Sequence, residues 1–87
     1  MGVNLKFTEY FEYTRARVDR IHIKLEWIEE VFNNPIHIEY QSDGRIKKWA
    51  KVHEAGNRYL RIIVLEDNLT IHNAFFDRNF KEDKNAN

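Results

Sequence analysis

The stretch Ile36-His37-Ile38-Glu39-Tyr40-Gln41-Ser42-Asp43-Gly44-Arg45-Ile46-Lys47-Lys48-Trp49-Ala50-Lys51-Val52 decides the fold. Before the turn, Ile36, Ile38 and Tyr40 alternate with His37, Glu39 and Gln41, the two-residue period of a half-buried strand. Ser42-Asp43-Gly44 then reverses the chain. A two-residue Asp-Gly loop would set Tyr40 against Lys47 and Ile38 against Trp49, leaving Ile46, Ala50 and Val52 opposite polar residues. A three-residue loop with Gly44 left-handed removes that mismatch, pairing Tyr40 with Ile46, Glu39 with Lys47 and Ile36 with Ala50. The second strand then puts Ile46, Ala50 and Val52 on one face and Arg45, Lys47, Trp49, Lys51 and His53 on the other.

Toward the C-terminus, His53 to Asn57 forms a turn, followed by the apolar run Tyr59 to Leu65. Asp67-Asn68 makes a second tight hairpin, because both residue types tolerate positive φ. Regular pairing across it sets Val64 opposite Ile71, Ile62 opposite Asn73, Leu60 opposite Phe75 and Arg58 opposite Asp77. The expected result is a four-stranded antiparallel sheet. One face carries Ile36, Ile38, Tyr40, Ile46, Ala50, Val52, Leu60, Ile62, Val64, Leu69, Ile71 and Phe75. The other carries Glu39, Lys47, Trp49, Lys51, His53, Tyr59, Arg61, Ile63, His72 and Phe76. Asn73 falls on the core side in this register, and Asp77 pairs with Arg58 across the strands.

Toward the N-terminus the period becomes helical. Phe7, Tyr10, Phe11, Thr14, Val18 and Ile21 recur at three- and four-residue steps, with Thr8 as N-cap, predicting a helix to about Arg20. After a break at His22-Ile23, Leu25, Ile28, Val31 and Phe32 mark a second helix that Asn34-Pro35 ends. Both helices pack on the apolar face of the sheet, giving an α+β domain over residues 1–80. A short strand at Val3 to Lys6 could add to an edge. Residues 81–87 are charged and polar without periodicity and should fray as a disordered tail.

Composition narrows the function classes. The chain of 87 residues has 14 basic and 14 acidic side chains and no cysteine, which excludes disulfides, thiolate nucleophiles and zinc-thiolate sites. No apolar run approaches a membrane span, and Met1-Gly2-Val3-Asn4 lacks the basic and apolar regions of a signal peptide, so a cytoplasmic protein without membrane association is expected. The histidines His22, His37, His53 and His72 show no paired ligand spacing, so no metal site is expected. The glycines are scattered and form no phosphate loop, so no cofactor is expected either.

Charge is balanced overall but not locally. Arg45, Lys47, Lys48, Lys51, Arg58 and Arg61 stand within seventeen positions against a single acid, Glu54. A basic, ring-bearing sheet face suits RNA, since cations answer phosphate charge and flat rings answer unstacked bases. Lys51, His53, Arg61 and His72 are the candidates for metal-independent phosphodiester cleavage, supplying base, acid and charge stabilisation. Arg45, Lys47, Trp49 and Tyr59 are candidate RNA contacts. Singly, each also reads as an ordinary solvated or shielding sheet residue.

Asp43-Gly44-Arg45, Arg58-Tyr59-Leu60-Arg61 and Thr70-Ile71-His72-Asn73-Ala74-Phe75-Phe76-Asp77-Arg78, set in the order helix, helix, antiparallel sheet, resemble a small prokaryotic domain family that itself resembles the RelE and BrnT toxins of toxin and antitoxin pairs. The resemblance implies an endoribonuclease that cuts mRNA without metal, using lysine, arginine and tyrosine side chains on the sheet, and an antitoxin protein that wraps and silences it. By the same analogy Arg78 joins the RNA-binding set. The chain differs from the RelE pattern in its neutral charge and in having no tyrosine after the last strand. The alternative function is a non-enzymatic module that recruits RNA or a protein through the basic face or an exposed edge strand.

Overall fold

The computed structural model describes residues 5–17 and 22–82. Its elements in chain order are β1 (Lys6–Phe7), α1 (Glu9–Arg15), α2 (Leu25–Asn33), β2 (His37–Tyr40), β3 (Ile46–Val52), a single 3-10 turn (His53–Ala55), β4 (Arg58–Val64) and β5 (Thr70–Phe76). The strands form one sheet in the order β1-β5-β4-β3-β2. The architecture is α+β, but the sheet has five strands and is mixed, because β1 runs parallel to β5 through Lys6 opposite Thr70 and Phe7 opposite Ile71. The expected purely antiparallel four-stranded sheet is corrected by that added edge. Val3 and Asn4, the start of the expected edge strand, lie outside the described residues.

The helices begin and end for local reasons. Thr8 caps α1 with its hydroxyl, which accepts the Phe11 amide at 3.0 Å, and Glu9 and Glu12 favour the positive helix end. α1 closes at Arg15. Val18 and Ile21, expected on the same stripe, lie outside the described residues. α2 has no side-chain cap at Lys24. Instead Trp27 Nε1 donates to Glu54 at 2.8 Å, tying the first turn of α2 to the 3-10 turn. The helix ends next to Pro35, as the sequence predicts.

The register of the first hairpin is the expected one. His37 pairs with Trp49, Glu39 with Lys47 and Tyr40 with Ile46, and Gly44 sits at φ +92°. That angle is what calls for glycine; an added Cβ would also meet Glu66 Oε1 at 2.8 Å, a contact the exposed glutamate can relieve by swinging aside.

The second hairpin departs from regular pairing. Val64 pairs with Ile71 as expected, but Ile63 pairs with Asn73, Ile62 with Ala74, Arg61 with Phe75 and Leu60 with Phe76. The register shifts between Ile63 and Val64, leaving His72 as an extra residue in β5. Because side chains alternate faces, one inserted residue inverts everything beyond it. Phe76 and Ala74 therefore join the helix side, while Phe75 and Asn73 move to the far side. Asn73 is not a core residue, and its Oδ1 accepts the Ala74 amide. Asp77 does not pair with Arg58, which instead stacks on Phe76 and donates from Nε to the Ala55 carbonyl.

The core lies between the helices and the sheet. Phe11, Ile23, Ile28 and Val31 pack against Ile46, Ala50, Val52, Leu60, Ile62, Val64, Ile71 and Ala74. Lys48 also faces this side and is buried, with its Nζ donating to the Phe32 carbonyl at 3.1 Å and lying 4.0 Å over the Phe32 ring. The cation so placed satisfies a carbonyl in the last turn of α2, where positive charge is favoured. Burial holds the Lys48 ammonium below its usual range. Ile36, Ile38 and Tyr40, expected in the core, are exposed, since α2 covers β3 and β4.

Candidate functional site

Alternation along β3 and β4 puts Lys47, Trp49, Lys51, Tyr59, Arg61 and Ile63 on the sheet face that turns away from the helices. Trp49 pairs directly with Arg61, and Lys51 with Tyr59. The last residues of the described chain cross this face. The Asp77 amide extends the ladder to the Tyr59 carbonyl at 2.9 Å, and its Oδ1 caps the following turn by accepting the Asn79 amide. That turn delivers Phe80 onto Trp49, with ring centroids 5.0 Å apart and planes 18° from parallel. His37 and Tyr59 flank Phe80 at 5.7 and 5.1 Å. As a result Trp49 is only 4% exposed.

Polar groups accompany this stack. Trp49 Nε1 donates to Asp77 Oδ2 at 3.0 Å, and Arg61 Nη1 lies 3.7 Å from the same oxygen. Arg61 is held between the Phe75 ring, 4.2 Å from its Cζ, and the Trp49 ring at 5.9 Å. Its Nε is buried with no hydrogen-bond partner among the described residues. Burial alone would raise the Asp77 carboxyl, but the Trp49 indole, the Asn79 and Phe80 amides and the Arg61 charge outweigh it and hold the group below the usual carboxylate range.

Beside this cluster, Tyr59 donates its phenol to Glu82 Oε2 at 2.5 Å, and Lys51 Nζ lies 4.0 Å from that oxygen and 5.5 Å from the Tyr59 ring. The hydrogen bond to Glu82, helped by desolvation and the carboxylate charge, raises the Tyr59 phenol above its ordinary value. Glu82 belongs to the stretch expected to fray. It nevertheless makes these contacts, while residues 83–87 lie outside the described residues.

The sequence-predicted site is thus brought together only in part. Lys51, Tyr59, Arg61, Trp49 and Lys47 share one face. His53 lies in the 3-10 turn, with Nδ1 2.6 Å from Asn57 Oδ1. His72, the bulge residue, lies 3.2 Å from the Thr8 hydroxyl and stacks on Tyr10 at 4.8 Å. Asn73, its neighbour, pairs four residues along β4 from Tyr59, so His72 is roughly 13 Å along the sheet from the row of Lys51. Burial first, and the Arg45 charge second, lower the His72 imidazole. Arg45 lies in the first hairpin loop, 3.9 Å from Asp43. Arg78 is exposed and lines a cleft of about 290 Å³ with Arg58, Tyr59 and Phe80.

Sequence reasoning missed His37, Asp77, Phe80 and Glu82 as members of this face. The available signal was Asp77-Arg78-Asn79-Phe80, an aspartate able to cap a turn followed by one aromatic in a polar tail. Among the described residues no cluster of three His, Asp or Glu side chains could hold a metal ion, and no helix is long and apolar enough to cross a membrane. Comparison with known protein families, characterised proteins and solved structures found no match for this chain.

Proposed function

We propose that this chain is a metal-independent endoribonuclease of the RelE and BrnT kind, acting on single-stranded RNA and silenced by an antitoxin protein. The observation that carries the reading is the grouping of Lys51, Tyr59 and Arg61 on one sheet face, with the Tyr59 phenol already bonded to a carboxylate. Lysine, tyrosine and arginine on the sheet are the residue types that the resemblance implies. In this reading His53 and His72 leave the catalytic set, because one sits in the turn and the other in the distant bulge.

The chemistry assigns each group a step. The 2′-hydroxyl gives its proton to Tyr59 as the phenol passes its own to Glu82, and the freed oxygen attacks phosphorus. Arg61 offsets the charge that develops on the phosphoryl oxygens. Lys51 donates a proton to the 5′-oxygen as the P–O5′ bond breaks. The products are a 2′,3′-cyclic phosphate and a 5′-hydroxyl end. Strong expression in a bacterial host should therefore arrest growth with loss of mRNA, and folded Lys51→Ala and Arg61→Ala variants should not. Normal growth with intact mRNA would contradict the proposal.

One feature favours a second reading, a non-enzymatic module that binds RNA. Asp77 and Glu82 sit on Arg61 and Lys51, and Phe80 seals Trp49, so the face is already occupied by its own chain. Salt-sensitive binding of RNA that leaves the strand uncut would support this reading over the first.

A further inference from the structure

The edge strand β2 is built differently from the opposite edge. All four of its residues are exposed, and on its helix side Ile36 is 49%, Ile38 39% and Tyr40 77% exposed. Sheet edges are commonly blunted by lysine, proline or brevity because their free amides and carbonyls template further pairing. β2 has no lysine, and its proline, Pro35, stands before the strand rather than within it. Gln41 N–H bonds to the Arg45 carbonyl, so by alternation Glu39 and His37 also face β3. The amides and carbonyls of Ile38 and Tyr40 then point away from β3, on residues that carry the apolar stripe, whereas the Ile36 amide turns inward to the Trp49 carbonyl at 2.8 Å and leaves only the Ile36 carbonyl for the edge.

We propose that β2 pairs antiparallel with β2 of a second copy of this chain, joining the two sheets edge to edge about a two-fold axis at Ile38. A second copy is chosen because the strand complements itself in this register. Ile38 faces the second copy's Ile38, and Ile36 faces its Tyr40, which makes the exposed stripe continuous across the junction. On the other face His37 meets the second copy's Glu39, and Glu39 meets its His37, in non-hydrogen-bonded positions where cross-strand side chains come closest. His37 and Glu39 are already matched in character, lying 3.1 Å apart within one chain. Sliding the strand by one pairing step would set Glu39 against Glu39 and place like charges opposite, so charge selects the register. This inference does not depend on the ribonuclease reading, and either can fail alone.

Sedimentation equilibrium of the full chain tests it. The mass should rise with concentration to twice the chain's 10.6 kDa. Ile38→Lys, at an exposed position, should stay at the single-chain mass with an unchanged circular dichroism spectrum. Glu39→Lys should weaken association several-fold by setting a cation against His37. Hydrogen exchange on the unmodified chain provides a check that needs no variant, since the Ile38 and Tyr40 amides should gain protection as concentration rises. A single-chain mass at the highest soluble concentration would overturn the proposal. So would a dimer that survives Ile38→Lys, or one that leaves those two amides unprotected.

Discussion

The two faces of the sheet are closed by different means. On one side, α1 and α2 bury Leu60, Ile62, Val64 and Ile71 completely, and the closure is apolar. On the other, a single segment from Asp77 to Glu82 covers Trp49 with the Phe80 ring and the Asp77 carboxylate and sets the Glu82 carboxylate on Tyr59. Apolar closure makes a rigid support. Closure by a short polar segment leaves the Lys51 ammonium and the Tyr59 phenol beside a partly exposed carboxylate, where a competing anion can reach them.

The contrast can be broken most severely from the helix side. Leu60→Ala removes a fully buried side chain and leaves a cavity that the packed core fills only in part, and should cost about 2–5 kcal/mol in denaturant unfolding. Phe80→Ala should act on the other face alone. It should cost about 1–3 kcal/mol and shift Trp49 emission to the red, best read with Trp27→Phe in place. Lys48→Met keeps the stem in the core but removes the donor to the Phe32 carbonyl, for an expected loss of about 1 kcal/mol.

Acid sharpens the same contrast. The folded Asp77 carboxyl lies below its ordinary value of 3.8, so the folded state binds its proton more weakly than the unfolded state. Its stabilisation is therefore complete above that value and lost as pH falls through the lower folded value. Trp49 emission should move to the red in that range, and Asp77→Asn should remove this dependence. The His72 imidazole is lowered from 6.5, so it too loses stabilisation as pH falls, beginning below 6.5 and continuing through its folded value. That loss should register at α1, whose cap Thr8 it touches, rather than at Trp49.

Much of this architecture is legible in the residues, and the exceptions have physical causes. Gly44 discloses the first hairpin because only one loop length reconciles the apolar pattern on both sides of it. No such signal marks the bulge in β5. His72 and Asn73 are both polar, and Phe75 and Phe76 are both aromatic, so the two-residue pattern reads equally well in either register. The face shared by Lys51, Tyr59 and Arg61 follows from alternation within two strands. The burial of Trp49 does not, because it depends on Phe80, thirty-one positions away and beyond the last strand. Lys48 was hidden for a related reason: its place on the core face is acceptable only because a helix carbonyl waits there.

The most direct test of the functional account is incubation of the purified chain with end-labelled single-stranded RNA in excess chelator, followed by analysis of the product ends. The account predicts cleavage to 2′,3′-cyclic phosphate and 5′-hydroxyl ends, strongly reduced in folded Tyr59→Phe and Arg61→Ala variants. Uncut RNA, or cleavage that both variants retain in full, would contradict it.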